Sequence, residues 1–424
     1  MTVTDSDDIA DYLKAFSYTT DLDAFLSTSP KHQTKVETIK INSQDIPIYI
    51  NEFWTSKQRQ ASSIHEISYR ACFKPQLPRF FIKLLTKEND IVYDPFSGRG
   101  TTVIEAGLLN RNIISNDINP LSEILSFPRF FVPKLSEVEN RLSNIPINKN
   151  LRADIDLSMF YHPDTESEII SLKEYLRKRK EEGQEDSLDK WIRMIATNRL
   201  TGHSSGFFSV YTLPPNQAVT QESQIKINEK RNQKPEYRDT QSRILKKSKN
   251  LTRNLTKKQI ENLRKTGEKA IFLTQNAQNT SKIEANSVQL TVTSPPFLNV
   301  VQYSKDNWLR CWFNSIETDE ISKKITMTRT VEAWSLVMKD VFKELYRITR
   351  AGGWVAFEVG EVKKGTIKLE EYIVPLGLEA GFVCAGILIN LQKFTKTSNI
   401  WGINNNQAGT NTNRIVLFHA LNVG

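Results

Sequence analysis

Two short stretches carry residue types and spacings able to do chemistry. In "DPFSGRGTT", residues 94–102, the carboxylate of Asp94 precedes Gly98 and Gly100, and the stretch joins an apolar run to a helical pattern. Glycines allow a sharp turn and close backbone approach, and a helix N-terminus offers unpaired N–H groups, so such a loop can cradle a ligand. Its spacing is neither the dinucleotide fingerprint nor a phosphate loop ending in Lys-Ser/Thr. Asp94 instead suits a cationic amino group. A second acid, Asp117 in "NIISNDINP", ends the next apolar run, where sheets of this kind bind ribose hydroxyls. The other stretch is "TSPPF", residues 293–297, which ends the alternating run "SVQLTV". Neither proline can donate to a sheet ladder, and Pro296 excludes the helical region for its predecessor. Ser294 and the Pro295 carbonyl are acceptors, Pro295 and Pro296 make them rigid, and Phe297 offers a flat face. A plain turn beside a core phenylalanine is the other reading of the tetrapeptide.

The elements around these stretches predict how they are held. "PQLPRFFIKLLT" has helical apolar spacing, "DIVYDPF" is a short strand, "TTVIEAGLLNR" an amphipathic helix and "NIISNDINP" a second strand. This alternation predicts an α/β fold with a mostly parallel, doubly wound sheet. It stops for about 150 residues, far more than a crossover needs. Residues 122–268 therefore read as an inserted, mainly helical domain, with helices in "TESEIISLKEYLRKRKEE" and "SLDKWIRMIATNRLTG". The sheet pattern resumes in "KAIFLTQNA", "SVQLTVTS" and "GGWVAFEVG", with a helix over "SLVMKDVFKELYRITR" and a terminal antiparallel pair, "GFVCAGILI" and "TNRIVLFHA". The expected division is an N-terminal extension (1–60), a catalytic domain (61–121 and 269–424) and the insert (122–268).

Composition narrows the function class. The 424 residues are 39% apolar with no run near the roughly 18 residues of a membrane span, and the acidic start "MTVTDSDDIADYLKAF" is no secretion signal. Three widely spaced cysteines read as reduced thiols of a cytoplasmic protein. With five scattered histidines and no Cys-x-x-Cys, no metal site is expected. Net charge is +9, yet Lys226 to Lys269 alone holds fifteen Lys/Arg against five Asp/Glu, so the rest of the chain is about −1. One segment holding the whole excess is the footprint of a phosphate-backbone contact surface, with a solvated helix face as the alternative.

Together, "DPFSGRGTT" and "TSPPF" resemble the S-adenosylmethionine-dependent DNA methyltransferases that modify exocyclic amino groups, on N4 of cytosine or N6 of adenine. The resemblance covers roughly residues 64–124 and 268–420, and implies a Rossmann-like methyltransferase fold and S-adenosylmethionine as cofactor. It also implies that Asp94, Phe96, Ser97, Gly98, Gly100 and Thr101 hold the methionine end, and Asp117 the ribose. Tyr69, Lys74 and Pro75 in "SYRACFKPQLPRFFI" would close over the methionine tail. Asn276, standing where the family has an acid, would meet the adenine amino group through its amide oxygen.

An aromatic amino group is a poor nucleophile because its lone pair is delocalised. Acceptors at Ser294 and Pro295 would favour a tetrahedral nitrogen and stabilise its developing charge, while Phe297 stacks on a flipped base. Methylation at cytosine carbon 5 would need a Pro-Cys pair, and no cysteine here follows a proline. Serine at the first position of the tetrapeptide resembles the N4-cytosine enzymes, and N6-adenine is the alternative. Two features depart from that pattern: Phe297 stands where tyrosine is usual, and the cofactor loop precedes the catalytic motif.

Lys246, Lys247, Lys249, Arg253, Lys257 and Lys258 are the expected phosphate contacts on double-stranded DNA. "LTGHSSGFFSVYTLPPNQ", containing Phe207, Phe208 and Tyr211, is the expected base reader or else the insert's own core. Trp308 and Trp312 read as core, whereas Tyr303 and Lys305 are candidates for lining the substrate cleft. The resemblance implies a prokaryotic or phage-type, nucleoid-associated enzyme of restriction-modification or host DNA marking, with a separate cognate endonuclease as a possible partner. An RNA amino-group methyltransferase and a silent DNA-binding scaffold are the competing readings.

Overall fold

The computed structural model describes residues 6–17, 33–54, 61–70, 72–214, 217–296, 306–324, 330–359, 361–362, 367–391 and 412–421. The strands described are β1 (Lys35–Ile41), β2 (Gln44–Asn51), β3 (Ile91–Asp94), β4 (Asn112–Asn116), β5 (Ile271–Leu273) and β6 (Val288–Thr293). They continue with β7 (Thr349–Val359), β8 (Glu361–Val362), β9 (Ile367–Lys368), β10 (Val383–Leu391) and β11 (Thr412–His419). Nine form one sheet in the order β1-β2-β10-β11-β7-β6-β3-β4-β5, and β8 and β9 pair separately.

The centre of the sheet is parallel: β6, β3, β4 and β5 pair in turn, and β7 joins β6. β11 runs antiparallel to both β7 and β10, as expected of the terminal pair. The chain moves outward from β3 to β5, then returns across β3 to β6 and β7, so strand order reverses between β3 and β6. That reversal opens a crevice at the carboxyl ends of the two strands. β6, "VQLTVT", is buried at all six positions, as a central strand covered on both faces must be.

The first helices are α1 (Ser6–Ala15), α2 (Gln76–Leu85) and α3 (Thr101–Leu108). Next come α4 (Leu121–Ser126), α5 (Leu135–Ser143), α6 (Pro163–Glu181), α7 (Ser187–Arg199), α8 (Gln221–Arg231), α9 (Thr240–Thr252) and α10 (Lys257–Gly267). After β6 come α11 (Trp308–Phe313), α12 (Thr318–Lys324), α13 (Val331–Ile348) and, before β10, α14 (Glu370–Ala380). One core, holding Val92, Leu290 and Val292, lies under α2, α3 and the helices of 122–268. The other, holding Tyr93, Val355 and Phe357, lies under α13 and α14. α13 starts where the Thr330 hydroxyl accepts the Ala333 N–H at 3.2 Å. Its buried stripe of Val331, Trp334, Met338, Val341, Phe342 and Leu345 follows helical spacing.

Two regions sit differently from the sequence expectation. "TIKI" and "IPIYI" form the β1–β2 hairpin, and β2 pairs in parallel with β10, so the N-terminal extension is part of the main sheet. The helices of 122–268 share an apolar core with the sheet rather than standing apart: Phe130, Trp191 and Leu263 belong to the same cluster as Val92 and Val103. A Cβ on Gly107 of α3 would lie 2.7 Å from Phe130 and 3.1 Å from Leu263, so only glycine admits α10 this closely. α10 then leads directly into β5 and serves as the crossover from β4, which puts the end of the insert inside the sheet's own helical layer.

Candidate active site

The crevice between β3 and β6 is a cleft of about 1130 Å³, counting the part open to solvent. β3 places Asp94 at its floor, 1% exposed, and the backbone turns at Gly98 (φ 52°) and Gly100 (φ 75°) before α3 begins. Adding a Cβ at Gly100 would bring it within 2.5 Å of Ser126, so the second glycine answers both a left-handed backbone and a close contact. Asp94 Oδ1 accepts the Thr293 hydroxyl at 2.7 Å and the Phe96 N–H at 3.1 Å. Asp117 accepts the Gly98 N–H at 2.8 Å and the Asn119 N–H at 2.9 Å. Ser97 is fixed from both sides, donating to the Asp94 carbonyl and accepting from Ser115.

Among the described residues, neither acid has a cationic partner. Burial pushes Asp94 up to about 7 against the hydrogen bonds that oppose it, and pushes Asp117 up to about 6. Such carboxylates are poised for a ligand offering a cation and hydroxyls.

Tyr69, Asp94, Phe96, Ser97, Gly98 and Thr101 line this cleft, as do Asp117, Asn276, Ser294 and Pro296. The two motifs, about two hundred residues apart in sequence, therefore meet in one cavity. Pro295 is buried beside it. Gly100 lies behind the loop against Ser126 and Arg129. Lys74 and Pro75 line a neighbouring hollow with Glu66 and Arg99, which shares only Tyr69 and Cys72 with the main cleft. Phe297, Tyr303 and Lys305 lie outside the described residues.

Sequence reasoning missed the wall opposite the glycine loop. α13 supplies Trp334, Val337, Met338 and Val341 to the cleft, and Trp334 Nε1 donates to the Pro296 carbonyl at 3.0 Å. In the sequence Trp334 reads as one more apolar residue of a helix stripe. Glu358 on β7 was also missed. It is 9% exposed, accepts a hydrogen bond from the Asn413 amide, lies close enough to Ser294 for the hydroxyl to act on it, and is pushed up to about 7 by burial.

The basic segment divides. Lys246, Lys249, Lys257 and Lys258 are exposed. Lys247 is not at the surface: it lies on the inward stripe of α9 with Ile244, Ser248 and Leu251. There its ammonium donates to the Glu66 carbonyl, and burial lowers it to about 7. Arg253 is exposed but bound to the Glu66 carboxylate. Phe208 is fully buried and Phe207 lies under the Arg199 guanidinium at 3.8 Å, which makes both part of the insert's own packing. Tyr211 carries Arg231 over its ring at 3.8 Å. Trp308 donates to the Val219 carbonyl and Trp312 to Asp154.

Comparison with known proteins gives a match between residues 12–124 and the N6/N4 methyltransferase family model, described as DNA methylase. The Type II methyltransferase M.MjaII of Methanocaldococcus jannaschii is 30% identical over 87 residues, 20% of this chain and 16% of that protein. The tRNA (guanine(10)-N2)-dimethyltransferase of the same organism is 38% identical over 63 residues, 15% of this chain and 18% of that one. The Type II methyltransferase M.PvuII of Proteus hauseri is 34% identical over 82 residues, 18% of this chain and 24% of that one. The chain thus spans less than a quarter of the length of these relatives. Among the described residues, no helix is long and apolar enough to cross a membrane. The match coincides with the glycine loop and its two acids, so it is this stretch of the chain that is similar to the amino-group DNA methylases.

Proposed function

We propose that the protein methylates an exocyclic amino group of a base in double-stranded DNA, with N4 of cytosine as the target. The observation that carries this reading is the meeting of Asp94 and Ser294 in one cleft at the sheet's reversal point, tied through the 2.7 Å bond from Thr293 to Asp94. Asp94 and the Phe96–Thr101 loop would hold the amino-acid end of S-adenosylmethionine, Asp117 the ribose and Asn276 the adenine. The two acids, raised by burial and without a cation among the described residues, fit that group. When bound, it supplies a methyl activated on a sulfonium. Ser294 and the Pro295 carbonyl accept hydrogen bonds from the target amino group and stabilise the charge that develops on nitrogen. Phe297 stacks on the extruded base. Lys246, Lys249, Lys257 and Lys258 contact phosphates, which position without specifying. Lys247 and Arg253 leave the phosphate set because they hold Glu66.

The serine of "SPPF" favours cytosine over adenine N6. A restriction endonuclease sharing the recognition sequence is the partner this activity would oppose. One observation favours a second reading: a matched relative is named for a tRNA guanine N2 amino group, so RNA is the competing substrate. Sequencing DNA and RNA from cells expressing the protein, with detection of modified bases, decides. N4-methylcytosine at a short DNA motif is expected; modification confined to RNA overturns the reading. Ser294→Ala should lower single-turnover methylation by about 100- to 1000-fold with DNA affinity kept.

A further inference from the structure

Glu358 sits where the proposed chemistry needs a proton acceptor and no role has been given to one. β6 and β7 run parallel with Thr293 opposite Phe357, so the next residue of each strand brings Ser294 beside Glu358 at the carboxyl edge of the sheet. The Glu358 carboxylate is more than nine-tenths buried. Among the described residues, the groups acting on it are two neutral donors, the Ser294 hydroxyl and the Asn413 amide, the latter at 2.5 Å from Oε1. Among the described residues of β6, β7 and β11 no cation is paired with it, and the neighbouring Arg414 is bound to Glu370 at 2.5 Å. A buried carboxylate without a cation is costly, and structural packing alone would be served as well by glutamine.

We propose that Glu358 is a positioning residue for methyl transfer: it engages the Ser294 proton so that the Ser294 lone pairs face the target amino group, and through that hydroxyl it receives the proton the methylated nitrogen must lose. This rests on the methyltransferase reading above. The nitrogen forms its bond to carbon as the carbon–sulfur bond breaks, leaving a neutral thioether and a cationic nitrogen. One N–H proton then passes to Ser294 Oγ while the Ser294 proton passes to Glu358, and the carboxylic acid returns its proton to water when product leaves. Burial places the Glu358 carboxyl near 7, where an acceptor works best at neutral pH.

The test is single-turnover methylation of unmodified genomic DNA across pH 5.5–8.5, at saturating S-adenosylmethionine so that Asp94 and Asp117 are engaged. In the wild type the rate should rise with pH through an inflection near 7. Glu358→Gln should lose at least about 100-fold and flatten the profile, with cofactor affinity unchanged. Asn413→Ala, which removes a donor that favours the ionised form, should move the inflection to higher pH. A second readout needs no activity: the infrared pH-difference spectrum of the free protein should show a protonated-carboxyl band lost near pH 7 that is absent in Glu358→Gln. A Glu358→Gln profile that keeps the inflection, or a missing band, overturns the role of Glu358 alone. A wild type that modifies neither DNA nor RNA overturns the methyltransferase reading instead.

Discussion

The carboxyl edge of the sheet and the surface of α9 and α10 both present charged residues, but the charges are held in different ways. At the sheet edge the backbone fixes them: Asp94 and Asp117 end adjacent parallel strands, Asp94 accepts the Phe96 N–H of its own loop, and Asp117 accepts the Asn119 N–H of its own and the Gly98 N–H of its neighbour's. On α9 the neighbours Lys246 and Lys247 part company, one facing water and the other buried against Glu66. A strand end dictates where its side chain points, whereas a helix distributes a run of like charges around its axis. Net charge alone therefore overstated how much of the segment's positive charge faces water.

The largest effect that would break this contrast is at Asp94. Asp94→Ala should weaken S-adenosylmethionine binding by more than about 100-fold in calorimetry, the scale of a lost buried charge contact of 3 kcal/mol or so, with the far-UV spectrum intact. Wild-type affinity in that variant would mean the glycine loop holds something else. Next come the four outward lysines. Replacing Lys246, Lys249, Lys257 and Lys258 by Gln should weaken DNA binding at all sequences and flatten the slope of log affinity against log salt by roughly 0.9 per lost contact. Lys247→Met should leave that slope alone and instead lower stability by about 1–3 kcal/mol in denaturant unfolding, because the part-buried Glu66 carbonyl loses its donor. If Lys247→Met changes the salt slope as much as an outward lysine does, the inward assignment is wrong.

A last effect is a pH dependence. Asp94 has a folded value of about 7, raised above the 3.8 of a free side chain. The folded state therefore holds the proton more tightly, and the stability this contributes is present at low pH and lost as pH rises from about 4 to 7. Asp94→Asn removes that loss, so its melting temperature should rise relative to wild type between pH 5 and pH 8. A gap that stays constant across that range would show that Asp94 is ionised throughout.

What could be read from the sequence follows the same division. The doubly wound sheet, its terminal antiparallel pair and the strand-end positions of Asp94, Asp117 and Ser294 were legible, because period, glycine and proline act locally. The closeness of the insert was not. Nothing local distinguishes α10, a crossover helix, from the helices before it, and its fit depends on Gly107 facing Phe130 and Leu263. The burial of Lys247 did leave a signal, since Ile244, Lys247, Ser248 and Leu251 follow helical spacing, but the charge count hid it. Glu358, a single acid inside "GGWVAFEVG", was equally visible as a charge in an apolar strand.

A sheet of nine strands has two rims, and each could template pairing with another molecule. β1 ends one rim with Lys35, Glu37 and Lys40 along a mostly exposed strand, and β5 ends the other after only three residues. Charged or very short border strands are poor seeds for intermolecular β-pairing. The N-terminal hairpin therefore also protects against aggregation, because without it the long apolar β10 would be the rim. Removing residues 1–54 should leave a chain that precipitates during refolding at concentrations where the full chain stays in solution.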